Sequence, residues 1–313
     1  MRILVTGGAG FIGTNLVERL LWEPEVSEIV IFDNYSTGFR TSYSDSRVRV
    51  VEADLRDGDA VTTAMRGIES VTHLGALPSV PRSISDPRST HDVNATGTLN
   101  VLEAARQSGV PHVVVASSSS VYGANTALPK HETLATIPLS PYAASKLAAE
   151  SYTNVYGTSF GMRTLAFRFF NVFGPLQRAD HAYAAVIPKF LDAIRRGDEI
   201  EVHGDGEQSR DFTSVHAVVD ALTKATLRHL SSPMPINLAF GTRTTLNEVI
   251  ELLRSWHPSR ISVRHVDSRH GDVRHSQADS TRLRALIPDT RVPELTDALK
   301  EVYEWYLTAP RNS

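Results

Sequence analysis

Tyr142 and Lys146 stand four residues apart in the run Tyr142-Ala143-Ala144-Ser145-Lys146. On a helix that spacing sets both side chains on one face. An ammonium beside a phenol favours phenolate and pulls the tyrosine down from its ordinary pKa of about 10. Tyr142 could then act as a general base near neutral pH. A second polar group precedes the pair. The apolar run His112–Ala116 leads into Ser117-Ser118-Ser119-Ser120-Val121-Tyr122-Gly123. Serines directly after a parallel strand lie at the carboxyl edge of a sheet, where open α/β folds bind ligands.

A third constellation opens the chain. The strand-length run Ile3-Leu4-Val5 is followed by Thr6-Gly7-Gly8-Ala9-Gly10-Phe11-Ile12-Gly13 and a helical pattern. Glycines at 7, 10 and 13 permit a tight turn, close approach to a phosphate and close helix–strand packing. The N–H groups and positive dipole end of the following helix then face a pyrophosphate. Asp33 ends the next strand, 20 residues after Gly13. A carboxylate there accepts hydrogen bonds from ribose hydroxyls and repels a 2′-phosphate, which favours NAD over NADP. The positive nicotinamide ring would add to the pull of Lys146 on the Tyr142 phenol. Asp54, after the third strand, either borders the adenine or caps the helix that follows.

These groups need a scaffold that brings strand ends together. Candidate strands are Ile3–Val5, Ile29–Phe32, Val48–Val51, Val71–Leu74, His112–Ala116 and Arg163–Arg168, with amphipathic segments at 12–22, 57–66, 92–107 and 142–156. Alternating strands and helices imply βαβ units and a parallel sheet covered on both faces. The expected fold is α/β, a Rossmann-type doubly wound parallel sheet with a smaller C-terminal α/β substrate lobe. Helices at 183–196 and 245–256 and a strand near Ile200–Val202 belong to that lobe. Residues 1–170 form the NAD-binding part, segment 213–240 returns to it, and 171–212 with 241–313 bind the substrate.

Composition excludes several alternatives. The 313 residues carry a net charge of -3, with no basic field to draw in nucleic acid or an anionic membrane. There are no cysteines, hence no disulfides or zinc–thiolate sites. His112, His131, His203 and His257 read as surface residues, and no metal site is expected. No apolar stretch reaches membrane-spanning length and the N-terminal run is too short for a signal-peptide core, so a cytoplasmic protein is expected.

The motifs TGGAGFIG, DNYSTG, HLGA, SSSSVYG, YAASK, RFFNVFGP, GDGEQSRDF and RHGDVRHSQAD together resemble the extended short-chain dehydrogenase/reductase family, in its nucleotide-sugar epimerase and dehydratase branch. The resemblance spans the whole chain. LPSVPRS and AYAAVIPK are similar to the UDP-N-acetylglucosamine/UDP-glucose 4-epimerases. Gly75 in HLGA departs from the usual Ala. The resemblance implies that Ser118 hydrogen-bonds the sugar 4-hydroxyl, Tyr142 is the base and Lys146 anchors the nicotinamide ribose. It adds Phe11, Ile12, Asn34, Leu55 and Leu74 to the cofactor contacts. It makes Asn94 a support of the active-site backbone and assigns Asn171, Arg210 and Arg269 to the UDP diphosphate. Ser79 and Ser119 join the substrate contacts; Lys189 and Arg82 are either substrate neighbours or surface residues.

The implied reaction is inversion at C4 of a UDP-hexose, UDP-GlcNAc/UDP-GalNAc and possibly UDP-Glc/UDP-Gal, through a 4-keto sugar with bound NAD. Ser276, five residues after Gly271, lies where a large aromatic would exclude an N-acetyl group; otherwise selectivity is set near Ser79 or Tyr183. A 4,6-dehydratase needs an Asp-Glu pair where Ser119 and Ser120 stand. UDP-glucuronate epimerases and decarboxylases, the runner-up, commonly carry Thr where Asn171 stands, which disfavours them. A silent NAD-sensing module would have lost Tyr or Lys. In the resembling family helices 92–107 and 142–156 pair across a homodimer, here through Val93, Leu99, Leu102, Leu147 and Val155.

Overall fold

The computed structural model describes residues 1–40, 42–179, 184–267 and 274–308. Seven parallel strands make the central sheet: β1 (Arg2–Thr6), β2 (Glu28–Asp33), β3 (Val48–Glu52), β4 (Ser70–His73), β5 (His112–Ser118), β6 (Arg163–Phe169) and β7 (Ile236–Leu238). Their order is β7-β6-β5-β4-β1-β2-β3. The chain therefore reverses its direction of winding between β1 and β4. The two strand ends diverge there, and a crevice opens beyond them.

Both faces of the sheet are apolar, so both need cover. Helix α1 (Phe11–Leu20) packs on one face through Leu16, Val17 and Leu20. On the other lie α2 (Gly58–Ala64), α3 (Gly97–Gln107) and Tyr156 of α4 (Pro141–Phe160). Helix α4 starts where Ser140 accepts the Ala143 N–H at 3.1 Å and Pro141 occupies the first turn; Gly161 stops it with φ 67°. Further along come α5 (Val186–Arg196), α6 (Val215–Leu227), α7 (Leu246–Trp256) and α8 (Leu295–Thr308). Helix α6 shares the face of α1. Helices α5, α7 and α8 form a separate core with Phe190, Leu253, Leu299 and Tyr303. A parallel pair, Ile200–His203 with Val263–Val266, lies beside them.

Three sequence expectations change. His112 is fully buried: Ser70 Oγ lies 2.7 Å from Nδ1 and the Leu230 carbonyl 2.8 Å from Nε2, and burial pushes its pKa down to about 4. It opens a strand flanked on both sides by neighbours, so no edge is left for water. Leu102 is also fully buried, in the core under the sheet, and is not part of an outer helix face. The helix expected at 92–107 begins with a π turn, Asp92–Thr96, before α3. Among the described residues no helix is long and apolar enough to cross a membrane.

Candidate active site

A cavity of about 780 Å³ lies at the crevice beyond β1 and β4. Its floor is the glycine-rich turn. A Cβ on Gly13 would sit 2.1 Å from the Gly7 carbonyl oxygen, and one on Gly7 would sit 2.6 Å from the Gly75 nitrogen. Backbone thus replaces side chain on both sides of the turn, and a phosphate can approach the bare N–H groups. Gly10 caps α1 without any side-chain hydrogen bond, so the N–H groups of its first turn stay available to a ligand. This cradle fits a dinucleotide pyrophosphate.

Asp33 closes one end of the cavity. Its carboxylate accepts the Ala9 N–H at 3.0 Å and the Tyr35 N–H at 2.8 Å. Burial pushes its pKa up, and these N–H bonds oppose the shift. Asn34 donates to Asp54 at 2.9 Å, and Arg56 forms an ion pair with Asp54 at 2.8 Å. The Arg56 bond holds the Asp54 carboxyl far below its ordinary range. The helix cap considered for Asp54 is supplied by Asp57, which accepts from Asp59 and Ala60. Phe11, Ile12, Asn34, Asp54, Leu55 and Leu74 all line the cavity. So do Thr37, Phe39 and Arg178, which were not singled out in the sequence. The Arg178 guanidinium lies 5.0 Å from the centre of the Phe39 ring.

At the other end stand Ser118, Tyr142 and Lys146, all in the cavity wall. Ser118 ends β5 and caps the short turn Ser119–Tyr122, accepting from Ser120 N at 3.2 Å and Ser120 Oγ at 2.8 Å. With its oxygen so occupied, the Ser118 hydroxyl is left to donate. Burial pushes the Tyr142 phenol up, and the neighbouring Ser118 hydroxyl opposes this. The depression expected from the sequence therefore depends on added positive charge, which the nicotinamide ring would bring. Lys146 is buried, its Nζ donates to the Ala116 carbonyl at 2.9 Å, and burial pushes its pKa down to about 8. Asn94, inside the π turn, donates to Leu77 O at 3.1 Å and Ser145 Oγ at 3.0 Å and accepts the Leu77 N–H at 2.7 Å. It joins the loop after β4 to α4, the helix of Tyr142 and Lys146.

The substrate candidates fall into two groups. Ser79 lines the cavity at φ 100°, a conformation that disfavours side chains; its Oγ accepts the Arg82 N–H at 3.3 Å, and Arg82 lines the cavity too. Asn171, Lys189, Arg210, Ser119 and Ser276 are not in that lining. Ser119 directly follows Ser118. Asn171 donates to the Asp211 carbonyl at 3.3 Å, Arg210 to the carbonyls of Ser209 at 3.0 Å and Arg274 at 3.2 Å, and Ser276 N to Ser209 O at 3.0 Å. The segments 209–213 and 274–276 thus gather these residues beyond the cavity. Lys189 stands on α5. Arg269 and Tyr183 lie outside the described residues. Among the described residues no three His, Asp or Glu side chains converge as a metal ion would need.

The family model described as "NAD dependent epimerase/dehydratase family" matches residues 3–239. A UDP-glucose 4-epimerase of Mycolicibacterium smegmatis is 34% identical over 98% of each chain. Among solved structures, the UDP-N-acetylglucosamine 4-epimerase from Methanobrevibacter ruminantium, in complex with UDP-N-acetylmuramic acid, superposes with a TM-score of 0.91 at 34% identity over 98% of both chains. A dTDP-glucose 4,6-dehydratase from Streptomyces venezuelae with NAD bound does so at 0.90 and 28% identity, over 98% of this chain and 97% of that one.

Proposed function

The chain belongs to the NAD dependent epimerase/dehydratase family, and from that premise we propose that this NAD-dependent enzyme inverts C4 of UDP-hexoses, with UDP-GlcNAc and UDP-GalNAc as its preferred pair. The observation that carries the reading is the meeting of Ser118, Tyr142 and Lys146 at one end of the cavity whose other end is the dinucleotide cradle. Tyr142 takes the proton of the sugar 4-hydroxyl as general base. Ser118 donates to the same oxygen, and Lys146 keeps positive charge beside the phenolate. NAD held by the glycine turn and Asp33 would supply the reversible hydride acceptor. The redox change cancels, so the enzyme needs no second substrate to renew its cofactor.

Ser120 argues against dehydration, because its hydroxyl is engaged with Ser118 and neither it nor Ser119 can supply an effective acid and base for loss of water. A small side chain at Ser276, fixed by its backbone bond to Ser209, supports room for an N-acetyl group. We read residues 1–170, with 213–240, as the cofactor unit, and Asn171, Lys189, Arg210 and Arg269 as the grip on the sugar nucleotide. The outer face of α4 exposes Tyr152, Val155 and Phe160, which suits pairing with a second copy of the chain; light scattering that finds only a 34.4 kDa species rejects the dimer. The test of function is incubation with a panel of UDP-sugars. Interconversion of UDP-GlcNAc and UDP-GalNAc is expected; loss of water, or no change in any sugar, rejects the reading.

A further inference from the structure

Three consecutive residues at the end of β5 meet α4 along one helix face, and two of them are hydrogen-bonded to it. The Ala116 carbonyl accepts from Lys146 Nζ at 2.9 Å, Ser117 Oγ donates to Glu150 Oε2 at 2.8 Å, and Ser118 stands with Tyr142 in the cavity wall. Tyr142, Lys146 and Glu150 follow one another at intervals of four residues, so they stack along one side of the helix. The first and third of these belong to the reaction. The second leads out of the cavity: Ser117 lines it, but Glu150, to which the Ser117 hydroxyl donates, does not.

Glu150 is buried, and its charge is matched by a two-pronged bond from Arg168, Nε to Oε2 at 2.9 Å and Nη2 to Oε1 at 2.6 Å. Arg168 is equally buried; it also donates to the Glu132 carbonyl at 3.4 Å and lies 4.7 Å from the centre of the Tyr122 ring. A buried ion pair is a poor device for stability, because apolar residues of similar volume commonly do as well. It is a good device for direction. An ionised carboxylate accepts a short bond from one hydroxyl, and the planar guanidinium fixes the carboxylate in turn.

We propose that Glu150, held by Arg168, is a positioning residue for the reaction: through Ser117 it sets the end of β5 so that Ser118 meets Tyr142 and the sugar hydroxyl. The inference rests on the epimerase reading. Ser117→Ala removes the link and leaves the ion pair intact. In the holoenzyme kcat is expected to fall about tenfold or more, since displacements near 1 Å can cost about a hundredfold, while KM and Tm stay close to wild type. Ser117→Thr, which keeps the hydroxyl, restores kcat. The double variant Glu150→Met/Arg168→Met folds with near-normal Tm yet turns over as slowly as Ser117→Ala, and adding Ser117→Ala to it costs nothing more. A Ser118 hydroxyl displaced from Tyr142 also moves the ionisation of Tyr142 upward. That shift is read without turnover, as the ultraviolet phenolate absorbance that disappears in Tyr142→Phe. Wild-type kcat in Ser117→Ala together with an unmoved phenolate titration overturns the inference, as does full activity in the double variant. Absence of epimerisation by the wild type strikes the functional reading alone, and the phenolate titration then decides the inference by itself.

Discussion

Asp33→Asn tests how the cavity chooses its cofactor. The two carboxylate oxygens accept the Ala9 and Tyr35 N–H groups at 3.0 and 2.8 Å. Each oxygen keeps lone-pair capacity for the hydroxyls of an adenosine ribose. A phosphate on the 2′ oxygen would bring negative charge to within about 4 Å of the carboxylate. At an effective dielectric of about 20, each pair of unit charges at that distance repels by about 4 kcal/mol. That corresponds to roughly a thousandfold in affinity. Asparagine keeps the shape, removes the charge and trades charge-assisted hydrogen bonds for ordinary ones, so NAD should weaken by roughly tenfold or more. NADP should gain most of the thousandfold. The substitution leaves one of the two N–H groups facing an amide NH₂, so a stability loss of about 1–3 kcal/mol accompanies the change. The assay is calorimetric titration of NAD and NADP into protein stripped of nucleotide, with the nucleotide that co-purifies identified by mass. A ratio of the two affinities that stays where it was in Asp33→Asn refutes the reasoning, as does NADP as the main nucleotide carried by the wild type.

Further expectations concern the reacting end. Tyr142→Phe should retain fold and NAD while turnover falls by about 10²–10⁴-fold, the usual worth of a general base; near-normal turnover rejects Tyr142 as the base. The Lys146 ammonium is held down to about 8, so its charge is lost as pH rises through that value. The rate should decline on the alkaline side near pH 8, and Lys146→Arg, whose charge does not titrate there, should lack that decline in a rate profile from acid to alkaline buffer. Ser276→Tyr should depress kcat/KM for the N-acetylated sugars selectively, with UDP-glucose and UDP-galactose less affected. An unchanged ratio between the two pairs places sugar selection elsewhere.

The parallel sheet was legible because its strands are short β-branched runs separated by helical patterns. The glycine turn was legible because its steric demands leave few other residues possible. Glu150 and Arg168 were not. A charged residue on an amphipathic helix ordinarily reads as solvent-facing, and only the fold shows that a strand 18 residues further on supplies its counter-charge. His112 failed for a similar reason. Polar at the start of an apolar run, it looked like a strand terminus in water, whereas Leu230, 118 residues away in sequence, covers it. Phe39 and Arg178 meet across two loops, which no periodicity links. Helix α8 is missing from the sequence reading although Ala298, Leu299, Val302, Tyr303 and Tyr306 repeat at helical spacing. The π turn left no periodic sign either, since five residues are too few to establish a period.

The π turn makes the length of one helical rod a constraint in its own right. Residues 87–107 run as a single helix through it. One extra residue in a turn rotates everything upstream by about 100° relative to a regular α-helix. Downstream of the offset, Val101 and Leu102 enter the core; upstream of it, Ser89 reaches the cavity wall. Deleting a single residue there, Ala95 for instance, would permit an unbroken α-helix with better-aligned backbone bonds. It would also swing Ser89 and the segment carrying Ser79 and Arg82 away from the crevice. Local regularity and a working site are therefore alternatives in this stretch, separated by the loss of one codon.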